Sequence, residues 1–168
     1  MTVCISQALP SDAEGLARIH AEALPPGWPA ADIAAYCGDS SRIVFKAADG
    51  AVLLGFAILQ FAADEAEILT IAVARQARRR GIGSSIMEKA MAICEERFIS
   101  CIYLEVAESN RSALKLYGKL GLSTFARRKN YYQLARPAPE TALIMRLDIK
   151  HSLSQIDPQK GRRDEPSG

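Results

Sequence analysis

Ile71-Ala72-Val73-Ala74-Arg75-Gln76-Ala77-Arg78-Arg79-Arg80-Gly81-Ile82-Gly83-Ser84 runs from an apolar stretch through a short basic loop with two glycines into a segment of helical apolar spacing. That order describes a strand feeding a helix N-terminus. The first turn of a helix has N–H groups without intrahelical partners and carries the positive end of the macrodipole, so the junction is suited to an anion. Gly81 and Gly83 let the backbone come close to such a guest. Arg78, Arg79 and Arg80 add charge-assisted donors, and the guest expected from these features is a pyrophosphate.

Outward from this junction the rest of the chain falls into order. On the N-terminal side, Thr2 to Ala8 reads as a strand, and Ser11-Asp12-Ala13-Glu14 as a capping box opening a helix to about Ala23, with Leu16, Ile19 and Ala23 inward. Pro25-Pro26-Gly27 ends it, and a short helix from Pro29 to Tyr36 follows. Arg42 to Ala47 and Ala51 to Phe61 read as strands joined at Ala48-Asp49-Gly50, and Glu65 to Val73 delivers the chain to the basic loop. Beyond it, Ile86, Met87, Ala90, Ile93 and Cys94 form the core face of a helix. Cys101 to Val106 is a strand, Asn110 to Lys119 a helix stopped by Gly121, and Leu122 to Ala126 and Thr141 to Ile149 two last strands. The pattern is α/β or α+β: a mixed sheet with helices on both faces. Residues 1–149 are expected to form one domain, and the polar residues 150–168 a disordered tail.

Composition narrows the classes. A chain of 168 residues with 49% hydrophobic content supports one real core. No apolar run reaches the ~18 residues of a membrane span, and the N-terminus lacks a secretory pattern, so a cytoplasmic protein is expected. Cys4, Cys37, Cys94 and Cys101 have no C-x-x-C spacing and read as small buried hydrophobes in a reducing compartment. With only His20 and His151 as histidines, no metal site is expected. Residues 1–74 hold nine acidic and three basic side chains, whereas residues 75–168 hold ten acidic and eighteen basic. Such asymmetry suits a cationic partner on one half and an anionic one on the other, although ordinary solvated faces produce it too.

Arg78-Arg79-Arg80-Gly81-Ile82-Gly83 resembles the acetyl-CoA loop of the GNAT acetyltransferases. A second stretch, Leu104-Glu105-Val106-Ala107-Glu108-Ser109-Asn110 through Ala113, Leu116-Tyr117 and Leu120-Gly121-Leu122, resembles a segment of the bacterial ribosomal-protein alanine N-acetyltransferases within that family. Arg127-Arg128-Lys129-Asn130-Tyr131-Tyr132 is similar to their Arg-x-x-Tyr-Tyr region, and Trp28 falls where they often carry tryptophan. The resemblance spans most of residues 2–149. It implies the GNAT fold, a mixed and mostly antiparallel sheet of about seven strands. Leu122 in place of the usual phenylalanine and the helix-loosening Gly118 depart from the pattern.

Glu105 interrupts an apolar strand. Desolvation there would raise its pKa from about 4.3 toward neutrality, as suits a general base, while an exposed edge position is the plain alternative. The resemblance assigns it the base, directly or through a water. Tyr117 shares a helix face with Ala113 and Leu120, which fits a core aromatic; the resemblance makes it the acid that protonates the departing CoA thiolate. Asn110 suits a helix cap, and by resemblance also contacts acetyl-CoA. The cofactor contacts implied are thus Ile71, Ala72 and Val73 through their backbone, Arg78, Arg79, Arg80, Gly81, Ile82, Gly83, Ser84 and Asn110. Trp28, Tyr131 and Tyr132 are candidate walls of a substrate channel.

The nucleophile must be a neutral amine. A chain N-terminus with a pKa of about 8 is roughly 10% neutral at pH 7, and a lysine at about 10.4 far below 1%, so one modest base is better matched to an α-amine. The acidic N-terminal half fits a basic protein tail, and the resemblance implies the N-terminal alanine of the eighteenth protein of the small ribosomal subunit. Alternatives are a lysine or small-amine acetyltransferase, a non-catalytic acetyl-CoA-binding adaptor on ribosomes or RNA, and nucleic-acid binding through Arg78 to Arg80 and Arg127 to Lys129. The last is disfavoured by the tie of the arginines to two glycines at a helix start. Oligomeric state stays open, a monomer included.

Overall fold

The computed structural model describes residues 2–129 and 140–150. Its centre is the strand β3 (Val52–Ala62), flanked by β2 (Arg42–Asp49) and β4 (Glu65–Val73). Leu54 to Leu59 are all buried without alternation, the mark of a strand covered on both faces. Neighbouring residues of β3 show what covers each face. Phe56 lies 6.0 Å, centroid to centroid, from His20 of α1 (Ala13–Ala23), whereas a Cβ added to Gly55 would stand 3.2 Å from Ile86 Cδ1 of α3 (Ile82–Glu96). Successive strand residues point to opposite faces, so α1 and α3 sandwich the sheet.

The sheet is completed by β1 (Cys4–Gln7), β5 (Cys101–Ala107), β6 (Ser123–Arg128) and β7 (Ala142–Asp148), in the order β1-β2-β3-β4-β5-β7-β6. Pairing is antiparallel except between β4 and β5, as the mixed, mostly antiparallel expectation had it. The β2–β3 connection turns at Gly50 (φ 58°), with Asp49 opposite Val52. Helices α2 (Ala30–Cys37) and α4 (Arg111–Lys119) complete the element order.

Several local expectations change. Ser11 does not open α1 with a capping box: Pro10 starts a 3-10 turn, and Asp12 instead accepts from the Leu9 N–H at 2.8 Å and from Lys46 Nζ at 2.7 Å. Cys4 is exposed on the edge strand and Cys37 half-buried, so only Cys94 and Cys101 are the buried thiols foreseen. Strand β6 runs two residues further than its apolar pattern, because Arg127 and Arg128 find carboxylates across the sheet end, Glu108 at 2.9 Å and Glu105 at 3.4 Å. Residues 130–139, with Tyr131 and Tyr132, and the tail from His151 lie outside the described residues. Among the described residues no helix is long and apolar enough to cross a membrane.

Candidate active site

The site begins where the two parallel strands part. Pairing of β4 with β5 runs from Glu65↔Cys101 to Ile68↔Leu104 and stops there, although both strands continue. The cause lies on the other edge of β4. Ile58 pairs with Thr70 and Leu59 with Ile68, so Leu69 is an extra residue, a bulge that bends β4 just as it leaves β5. Past the bulge, Thr70 to Val73 keep a strand partner only on the β3 side, and Glu105 to Ala107 only on the β7 side. An edge of backbone donors and acceptors is therefore left facing the gap.

Two cavities open into this gap. One, of about 770 Å³, is lined by Ile71, Ala72 and Val73 of β4, by Arg78, Arg79, Gly81, Ile82, Gly83 and Ser84 at the start of α3, and by Asn110 and Tyr117. Arg75 joins this lining without having been singled out from the sequence, and Arg80 does not. The other, of about 830 Å³, is lined among others by Trp28, His20, Thr70, Leu104, Glu105, Asn110 and Tyr117. Ala23, Leu24, Ile71, Asn110 and Tyr117 border both cavities. Glu105 faces only the second and the glycine-arginine loop only the first.

The loop holds its shape through two left-handed residues, Arg79 (φ 60°) and Gly81 (φ 81°). Gly81 suits that positive φ and not a packing constraint, since a Cβ there would meet nothing within 4 Å. Gly83 serves packing: its added Cβ would sit 3.2 Å from Leu116 Cδ2 of α4. No side chain caps α3, so its leading N–H groups face the cavity with the helix dipole behind them. The Nε of Arg78 donates to the Val73 carbonyl at 3.2 Å, tying the loop to the end of β4.

Asn110 caps α4, its Oδ1 accepting from the Ala113 N–H at 3.2 Å and from the Ser112 hydroxyl at 3.1 Å. Tyr117 is 5% exposed, and burial pushes its phenol up to about 12. Its hydroxyl makes no hydrogen bond to a described residue, yet among the described residues no buried side-chain polar atom lacks a partner. The oxygen is therefore not fully sealed off, and the residue lines both cavities. The side chain of Glu105 is 24% exposed and stands beside Arg128, a wetter and more charged setting than a closed apolar strand.

Sequence reasoning passed over His20. It is 4% exposed, its Nδ1 accepts the Trp28 backbone N–H at 3.0 Å, and its Nε2 lies 3.0 Å from Thr70 Oγ1. Its position four residues after Leu16, on the inward face of α1, was the available signal. Among the described residues no group of three or more His, Cys, Asp or Glu is placed to hold a metal.

A strand edge opened by a bulge, with an uncapped basic helix start on one side, a carboxylate on the other and a phenol bordering both, defines a site for joining an anionic donor to a second molecule. Comparison with known proteins agrees with this class: residues 13–122 match the acetyltransferase (GNAT) family, and the chain belongs to that family. A ribosomal protein bS18-alanine N-acetyltransferase of Salmonella typhimurium is 39% identical over 97 residues, which make up 58% of this chain and 65% of that relative. The chain thus spans just under two thirds of that relative's length. The Haemophilus influenzae protein of the same name is 32% identical over 84% of this chain and 95% of its own length. The crystal structure of the Escherichia coli ribosomal-protein-S18-alanine N-acetyltransferase superposes with a TM-score of 0.83 at 28% identity, covering 92% of this chain and 99% of that one.

Proposed function

We propose that the protein transfers an acetyl group from acetyl-CoA to the α-amine of a protein N-terminus, and that this terminus is the alanine of a small-subunit ribosomal protein. The observation that carries the reading is the meeting of two cavities at Tyr117, with anion donors confined to one and Glu105 to the other. In this reading the diphosphate of the donor lies on the first turn of α3 beside Arg78 and Arg79. Its pantetheine arm pairs with the backbone of Ile71 to Val73 as an added strand. The thioester then reaches the parting of β4 and β5, and the acceptor amine enters from the side of Trp28 and Glu105.

Glu105 takes the proton of the amine, directly or through a water, as the nitrogen attacks the thioester carbon. The C–N bond forms, the C–S bond breaks, and the thiolate leaves toward Tyr117, whose hydroxyl supplies its proton. A phenol held near 12 is a poor acid for a thiol of ordinary basicity, about 8.5. The leaving sulfur, however, is desolvated in the same cleft. Desolvation there would push the thiol up too, the direction that narrows its gap to the phenol. The relatives named for bS18 alanine acetylation support the choice of acceptor.

Mass spectrometry after incubation with acetyl-CoA tests the reading. An alanine-starting basic peptide is expected to gain one acetyl group on its α-amine, while its N-blocked, lysine-containing twin gains none. Acetylation of the blocked twin alone would overturn the choice of acceptor, and turnover of neither would overturn the reaction.

A further inference from the structure

We propose that His20 is a positioning residue of the acceptor cleft, fastening the loop of residues 24–28 to the bulged segment of β4 and so fixing the mouth through which the acceptor enters. This rests on the reaction proposed above. The imidazole joins two walls of the 830 Å³ cavity: Nδ1 accepts from the Trp28 N–H of the loop, and Nε2 reaches Thr70 Oγ1, one residue past the bulge. A backbone N–H can only donate, so Nδ1 is unprotonated and the proton sits on Nε2, donating to the threonine. The ring also stacks on Trp28 with centroids 4.9 Å apart, and Trp28 meets Tyr36 edge-on at 5.8 Å.

The bond from Trp28 exists only while Nδ1 is unprotonated, whereas the Nε2–H can donate to Thr70 in either form. A proton on Nδ1 would oppose the Trp28 N–H and release the loop. Burial supplies the bias, holding the His20 pKa below the ordinary histidine value. The ring is packed by Phe56 of β3, Thr70 of β4 and Trp28 of the loop, all uncharged; the titratable groups bordering the same cavity are Glu105 of β5 and Tyr117 of α4. The donor cavity touches the loop at Leu24 but includes none of His20, Trp28 and Thr70. The two substrates should therefore respond differently to its loss.

Steady-state kinetics with the alanine-starting peptide test this. H20A is expected to raise the peptide KM about tenfold, with kcat changed by less than about twofold and the KM for acetyl-CoA unmoved. H20N, whose Oδ1 can take the place of Nδ1, should recover most of the loss, and T70V should raise the peptide KM by about threefold. Trp28 is the chain's single tryptophan, so its emission reports on the contact in the unaltered protein. An acid-side quenching step is expected in the wild type, centred below the ordinary histidine pKa of about 6.5, and no such step in H20N. An unchanged peptide KM in T70V, equal losses for both substrates, or a quenching step that persists in H20N would overturn the role of His20, whether or not H20A folds. A wild-type protein that acetylates no peptide would overturn the reaction itself, a separate result.

Discussion

The two cavities that meet at Tyr117 are built in different ways. The donor side is local: one strand end, one loop and one helix start, contiguous from Ile71 to Ser84, supply most of its wall. The acceptor side is assembled from α1, the loop of residues 24–28, the bulge of β4, the free half of β5 and α4. Backbone N–H groups and a dipole bind a diphosphate whatever else the protein does, so the donor side can serve a whole family of reactions unchanged. Side chains from distant segments set the shape of the acceptor side. A change there is expected to alter which amine is used and leave the donor bound.

The largest effect that could break this division comes from Glu105. E105Q keeps the shape and removes the proposed base, and should lower kcat by about 100-fold or more while calorimetry finds acetyl-CoA binding unchanged. Loss of donor binding in that variant would mean that the cavities are not separable. Tyr117 comes next. Its hydroxyl holds no hydrogen bond to a described residue, so Y117F should fold as the parent does and lower kcat by about tenfold. The pH profile has a definite sign. A phenol pushed up to about 12 keeps its proton across the working range, so activity should rise with deprotonation of the acceptor amine near pH 8 and stay level to about pH 10. A descending limb near pH 9 would show another group acting as the acid.

The same division explains what could be read before the structure was seen. Anion binding at a strand-loop-helix junction is written in consecutive residues, and Arg78, Arg79, Gly81, Gly83 and Ser84 all line the donor cavity. The bulge that opens the gap left no such mark, because Leu69 is an ordinary strand residue with neither glycine nor proline beside it. His20 was weighed only as a metal ligand, although its place on the buried face of α1 demanded a hydrogen-bonding role. Gly83 was assigned to the phosphate, but its missing Cβ also makes room for Leu116, a contact made 33 residues away in sequence. Glu105 was expected to be desolvated by its apolar neighbours along the strand. The nearby guanidinium comes from Arg128 on β6, and strand periodicity does not reveal a partner contributed by another strand.

Smaller effects sharpen the contrast from the donor side. Replacing Arg78 and Arg79 together by alanine should raise the KM for acetyl-CoA about tenfold and make it less sensitive to salt, with the peptide KM unchanged. Equal changes in both constants would point to a loop that shapes the whole gap. Smallest of all is G118A. Gly118 lies within α4 one residue after Tyr117, does not have positive φ, and a Cβ added there would meet nothing within 4 Å. Alanine therefore removes the conformational freedom of the unfolded chain at no steric cost, and should stabilise the protein by about 0.5–1 kcal/mol. For a chain of this size that is roughly 1–4 °C in Tm. If the glycine lets Tyr117 shift as the thiolate leaves, the same variant will also lower kcat. If the phenol works from the position it already holds, kcat will stay within about twofold, and a higher Tm with full activity is the expected result.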